Sequence, residues 1–185
     1  MSKDLQGELE IGRLVLRNFI ALDESAREMI FQWRNDDRIR SCMLEDEPIP
    51  PEAHRLFMKG LSTRSDCLHY LCFQEGEPVG VVNLNRISLR HRRASWGIYR
   101  RPDVPSSDSG LQMGGCVLEV AFDRLRLHTL QSEILAFNRA ALLLNQALGF
   151  RKAGLLRDYV LHRGRFVDLL LMNMTAEEYF RLSCE

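Results

Sequence analysis

Gly110, Gly114 and Gly115 fall where a polar segment rich in proline, serine and aspartate gives way to an apolar one with helical spacing, and such a joint suits an anion. The start of a helix leaves backbone N–H groups unpaired and carries the positive end of the helix dipole. Residues without a Cβ let that backbone approach a ligand closely. The same glycines are compatible with a loop that binds nothing, because short glycine motifs are weak evidence on their own. Arg86, Arg90, Arg92, Arg93, Arg100 and Arg101 crowd one short segment nearby, either attracting phosphate groups or forming a solvated face. Beyond that local charge the chain is balanced, with 25 Lys plus Arg against 25 Asp plus Glu, so no global field favours nucleic acid or an anionic membrane. The five cysteines (Cys42, Cys67, Cys72, Cys116, Cys184) are odd in number and scattered, which reads as reduced structural thiols. His54, His69, His91, His128 and His162 are equally dispersed, so no metal site is expected.

The elements that must position such a joint follow from periodicity. At 185 residues and 45% hydrophobic content, one domain spanning 1–185 is expected. The N-terminus lacks a signal layout and no stretch is apolar for long enough to cross a membrane, which makes the cytoplasm the expected location. Leu9 to Phe19 reads as a strand. Asp23 then caps a helix carrying Leu22, Ala26, Met29, Ile30 and Trp33 at helical spacing, and Pro51 opens a second helix. Leu68 to Gln74 and Val79 to Leu89 form a hairpin about Glu75-Gly76-Glu77-Pro78, and Ala94 to Arg100 adds a third antiparallel strand. Pro102, Pro105, Ser106, Ser107, Asp108, Ser109 and Gly110 read as a loop leading into a helix with Val117, Leu118, Ala121, Phe122 and Leu125 on one face. A strand from Thr129 to Leu135, a helix from Asn138 to Leu148, a last hairpin about Arg163-Gly164 and a short helix capped by Thr175 and Glu178 complete the chain. The order implies an α+β fold, a mixed, mostly antiparallel sheet of about seven strands with helices on both faces.

Trp96-Gly97-Ile98-Tyr99, the segment from Gly110 to Leu127, Leu130 to Leu135, and Asn138-Arg139-Ala140-Ala141 through Leu148-Gly149-Phe150 resemble, in order and spacing, the core motifs of the GNAT acetyltransferases. The resemblance extends over nearly the whole chain to the branch that N-acetylates a UDP-linked 4-amino-4,6-dideoxy sugar on the route to pseudaminic acid. Trp33-Arg34-Asn35-Asp36, Cys42-Met43, Ile49 to His54, Gly80 to Leu84, Leu156-Arg157-Asp158 and Gly164 to Met172 carry that finer likeness.

The resemblance implies acetyl-CoA as cosubstrate without a metal, and a strand that splays at a bulge near Gly97, so that backbone at Ile98 and Tyr99 faces the thioester. It implies pyrophosphate on Gly110, Gln112, Met113, Gly114, Gly115 and Cys116, and pantetheine between Asn138 and Ala141. Asn138 is equally a helix cap, and the two roles are compatible. Two departures stand out. Ser109 and Gln112 occupy the first and fourth places of the pyrophosphate signature, where Arg or Gln and Gly are usual, and Asn145 stands where the family carries a tyrosine as general acid. Asn83 similarly replaces a hydroxyl residue. Neither amide titrates; Asn145 is expected to hydrogen-bond the sulfur or fix a water that donates the proton, and a thiolate leaves readily without strong assistance. Glu133, acting through water, is the leading base, with His128 and Tyr99 behind it; each is equally compatible with a structural role.

For a nucleotide sugar, Arg34, Met43, His54, Asn85 and Arg86 are the expected contacts, a solvated or core role being the alternative for each. A homodimer is compatible with this reading. Two other functions stay open: acetylation of a protein N-terminus or a polyamine, for which Glu45, Asp46, Glu47 and Glu52 are the relevant acids, and a non-catalytic acyl-CoA or nucleotide-sugar binding module.

Overall fold

The structure, a computed structural model, describes residues 3–103 and 109–182. Residues 104–108 of the expected loop, and Cys184, lie outside the described residues. The elements run β1 (Glu8–Ile11), β2 (Leu14–Asn18), α1 (Glu24–Asn35), α2 (Asp37–Arg40), α3 (Pro51–Gly60), β3 (Leu68–Gln74), β4 (Glu77–Ser88) and β5 (Arg93–Arg100). Then come α4 (Ser109–Glu119), which continues as a π turn over Val120–Arg124, β6 (Thr129–Leu135), α5 (Arg139–Ala147), β7 (Arg151–His162), β8 (Arg165–Thr175) and α6 (Ala176–Leu182). One sheet contains all of the strands in the order β1-β2-β3-β4-β5-β6-β8-β7. Neighbours are antiparallel except β5 and β6.

The sheet has eight strands rather than about seven because the single strand expected over Leu9 to Phe19 folds back on itself. Ile11 pairs with Leu14 across a two-residue turn, and Gly12 supplies the positive φ of 60° that tight hairpin turns require. The helix starts follow capping chemistry. Asp23 accepts the Ala26 N–H at 2.8 Å, Pro51 occupies the first turn of α3, and Thr175 and Glu178 bond reciprocally before α6.

Strand alternation divides the core between the two faces of the sheet. From β3, Leu68, Tyr70 and Cys72 join Val82, Trp96, Leu130 and Met172 against Met113, Val117 and Phe122 of the α4 segment. From the opposite face, Leu71 and Val81 pack with Phe19, Ile30, Trp33 and Met58 under α1 and α3. No described helix is long and apolar enough to cross a membrane.

Candidate active site

Between β5 and β6 the pairing is short: Arg93 with Thr129, Ala94 with Leu130 and Ser95 with Gln131. Past that point β5 stays with β4 as far as Arg100, and β6 stays with β8 as far as Leu135, so the two strands part. The β6-facing backbone from Gly97 to Arg100, including Ile98 and Tyr99, is left without a strand partner, and such an edge can pair with an extended chain bearing its own amides. The bulge expected at Gly97 lies elsewhere. The register shift is on β4 between Asn85 and Ser88, where Arg86 has a φ of 53°. Gly97 is small for another reason: a Cβ there would stand 3.1 Å from Oδ1 and 3.2 Å from Nδ2 of Asn83, whose amide lies across it.

The glycine joint is also reassigned. Gly110, Gly114 and Gly115 all lie within α4, and the amides of residues 113–116 belong to its i→i−4 ladder. Anion-binding donors are thereby confined to the N-terminal turn, where Gly110 lies 3.8 Å from the Arg100 side chain, measured from the Cβ it lacks. A Cβ on Gly114 would meet Leu148 at 2.5 Å, so that glycine serves the contact between α4 and α5. Gly115 faces open space. Met113 and Cys116 are buried core side chains, the Cys116 thiol lying 3.7 Å from the Ile11 carbonyl, and the Gln112 side chain accepts from Gln74 at 3.3 Å.

Asn138 caps α5 by accepting the Ala141 N–H at 3.1 Å, so Ala141 presents only its methyl to a ligand. Asn145 is buried: Nδ2 donates to the Ala141 carbonyl at 2.9 Å, and Oδ1 has no partner among the described residues. Trp96, the first β5 residue beyond the pairing with β6, also has a buried Nε1 without a partner among the described residues. It stacks on Phe150, whose N–H bonds the Asn145 carbonyl.

On the other face, α1, α3 and the sheet enclose a cavity of about 330 Å³. Its polar lining is Arg34, His54, His69, Asn83 and Tyr99; the rest is apolar, and no carboxylate lines it. Arg34 donates Nη2 to the Glu45 carbonyl at 3.0 Å, while its buried Nη1 has no partner among the described residues. Burial lowers the Arg34 pKa, and raises that of the Tyr99 hydroxyl beside it. His54 donates Nε2–H to the Arg27 carbonyl at 3.2 Å, its ring against Phe31; burial lowers its pKa. His69 was not singled out by the sequence reading. Strand parity was the available signal, since it alternates with Leu71 on the face turned to α1 and α3.

The remaining expected residues lie outside this cavity. Met43 packs in the apolar cluster with Trp33 and Ile39. Arg86 is exposed and binds Ser95 and Glu133, and Asn85 donates to Asn83 at 2.6 Å. Glu133 receives both Arg86 and Gln131 on Oε1. His128 precedes β6 at its paired end, away from the point where the strands part. Of the acids relevant to a polyamine, Asp46 is engaged by the Arg163 N–H and Glu52 by Arg55, while Glu45 lies close enough to Arg34 to act on its charge. Among the described residues no group of three or more His, Cys, Asp or Glu is placed to hold a metal ion.

Comparison with known proteins agrees with this geometry. The model of the acetyltransferase (GNAT) domain matches residues 13–151. The acetyltransferase PseH of Campylobacter jejuni serotype O:23/36 (strain 81-176) is 30% identical over 131 residues, covering 71% of this chain and 80% of that protein. Among solved structures, a spermidine N-acetyltransferase from Vibrio cholerae in complex with CoA and spermine superposes with a TM-score of 0.82 at 23% identity, over 91% of this chain and 98% of that one. Campylobacter jejuni PseH in complex with acetyl coenzyme A gives 0.66 at 24% identity, over 88% and 98%. At those identities the structural likeness speaks for the fold. With the family model spanning most of the chain and the parted strands in place, the chain belongs to the GNAT family and is an acetyl-CoA-dependent N-acetyltransferase.

Proposed function

We propose that the acceptor is the 4-amino group of a UDP-linked 4-amino-4,6-dideoxy sugar, as the likeness to PseH suggests. The observation that carries this reading is the lining of the acceptor cavity: a half-buried cation whose Nη1 has no partner among the described residues, two histidines and apolar walls, with no carboxylate among the described lining residues. A polyamine is a polycation, and its desolvation in such a cavity beside Arg34 finds no carboxylate among the described lining residues to pair with. A neutral sugar or base fits the apolar walls, and a diphosphate suits the arginine.

In this reading acetyl-CoA supplies the thioester when bound, with Gly110, Gln112 and Arg100 at its diphosphate and Asn138 and Ala141 beside the pantetheine. The Ile98 and Tyr99 backbone polarises the carbonyl through the unpaired β5 edge. Asn83 projects from β4 over Gly97 and orients the amine. Glu133, held on the same face by Arg86, takes the amine proton through water. Asn145 fixes the proton source for the departing thiolate. Thiol release from acetyl-CoA is the test: turnover with the 4-amino UDP-sugar, and little with spermidine or short peptides, supports the assignment. The reverse order removes it.

A further inference from the structure

One wall of the acceptor cavity comes from a segment without regular structure. Between α2 and α3, residues 44–50 form neither helix nor strand, yet Ile49 lines the cavity, as do Ala53, His54 and Phe57 of α3 just beyond it. Such a segment must satisfy its backbone polar groups somewhere, and here side chains do so. Arg34 Nη2 donates to the Glu45 carbonyl at 3.0 Å, and Arg40 Nη1 donates to the Asp46 carbonyl at 2.6 Å. The Asp46 carboxylate accepts the Arg163 N–H at 2.7 Å from the turn between β7 and β8. Asn35, the last residue of α1, differs in holding one loop residue at two points. Its Oδ1 accepts the Ile49 N–H at 2.8 Å and its Nδ2 donates to the Ile49 carbonyl at 3.1 Å, so the side-chain amide pairs with that residue much as a neighbouring strand would.

The amino-acid order around Ile49 gives this pairing its leverage. With Pro48, Pro50 and Pro51 as neighbours, Ile49 carries the one backbone N–H in residues 48–51. Each proline fixes its own φ and biases the residue before it towards extended backbone, and Pro50 is extended, with φ −63° and ψ 146°. The segment is a short stiff strut, positioned by what holds its ends. At one end the His54 N–H of α3 donates to the Pro50 carbonyl at 3.1 Å; at the other is Asn35. Arg34 precedes Asn35 and grips the same loop, so its bond to Glu45 orients a guanidinium that lines the cavity and whose Nη1 has no partner among the described residues. Asn35 thus governs two walls, apolar Ile49 and charged Arg34, without being a lining residue itself. We propose that Asn35 is a positioning residue for the acceptor: its clamp on Ile49 seats the loop over residues 44–50, and through that loop keeps Arg34 in place. The clamp rests on the reading of this cavity as the acceptor site, and on no particular acceptor.

Asn35→Leu has similar bulk and removes both bonds, and Asn35→Ala removes them without adding a larger apolar group. With the 4-amino UDP-sugar, either is expected to raise the acceptor KM by about 10-fold while kcat and the calorimetric titration of coenzyme A stay unchanged. Added to Arg34→Met, Asn35→Leu should cost only about 3-fold more in kcat/KM, because part of its effect passes through that arginine. Full multiplication of the two losses overturns the link to Arg34. An unchanged acceptor KM in both Asn35 variants overturns the clamp, and so does a loss shared equally by coenzyme A binding, which marks a general loosening of the domain. If wild type ignores the sugar and turns over spermidine, the substrate reading falls alone, and the same comparison is made with spermidine.

Discussion

Two regions of the molecule each carry a pair of buried polar atoms without a partner among the described residues, yet the two pairs differ in kind. In the acceptor cavity they are Arg34 Nη1 and His69 Nε2; where β5 and β6 part they are Trp96 Nε1 and Asn145 Oδ1. Buried polar atoms without partners are uncommon and each calls for an explanation; Arg27 Nε and His162 Nε2 are two more, outside the cavity lining. The difference lies in charge. The cavity contains a cation held by desolvation below its ordinary pKa, whereas the parted strands offer only neutral dipoles and an open backbone edge. In the proposed reading the first region selects by charge and hydrogen bonding, the second by shape and strand pairing.

The sharpest way to separate the regions is pH. His69 has an ordinary pKa of 6.5 and about 4 in the fold, burial being the main cause, with Arg64 acting in the same direction and Asn85 and Asp66 against it. Between those values the unfolded chain binds the proton that the folded chain refuses, so stability rises with pH across that window and levels off above it. His54, also depressed by burial, adds in the same sense. Urea unfolding should lose on the order of 3 kcal/mol between pH 7 and pH 4 through His69, and His69→Phe should remove that part of the slope. A slope identical in the variant would mean that the ring is protonated in the fold.

Arg34 sharpens the contrast next. Arg34→Met keeps length and apolar contact while removing the cation, and should reduce kcat/KM for the sugar nucleotide by roughly 100-fold, about the worth of a charged hydrogen bond. The affinity for coenzyme A, measured by calorimetry, should not move. A parallel loss of coenzyme A binding would show that the two regions are not separate.

Much of this layout is legible in the amino-acid order. Periodicity and caps give the helices, because Asp23, Pro51, Asn138 and Thr175 act locally. The first hairpin is missed because Gly12 interrupts a continuous aliphatic run that reads equally well as one strand. The glycine joint is misplaced by about a turn: Gly114 answers to Leu148, a partner 34 residues away that no local rule reveals. Arg34 and His54 line the cavity, whereas Met43, Arg86 and Asn85 lie behind or beside it. His69 needed the parity of β3 and its pairing with Asn83, both of them non-local facts.

The smallest effect tests whether the parted strands are a site at all. Asn145 replaces the family's expected tyrosine and spends burial on an oxygen that bonds nothing, while its Nδ2 makes one bond back to Ala141. Asn145→Leu has similar bulk and removes both amide atoms. The lost bond and the relieved oxygen oppose each other, and an unsatisfied buried group usually outweighs one net hydrogen bond, so a gain of up to about 1 kcal/mol is expected. That corresponds to a Tm higher by about 2–4 °C for a chain of this length. The same variant should lower kcat if the amide fixes the proton source, and Asn145→Tyr should restore or raise it. A Tm that falls in Asn145→Leu would mean the oxygen is satisfied within the folded protein. The region between β5 and β6 would then be a finished wall on the α5 side, and the symmetry between the two regions would fail.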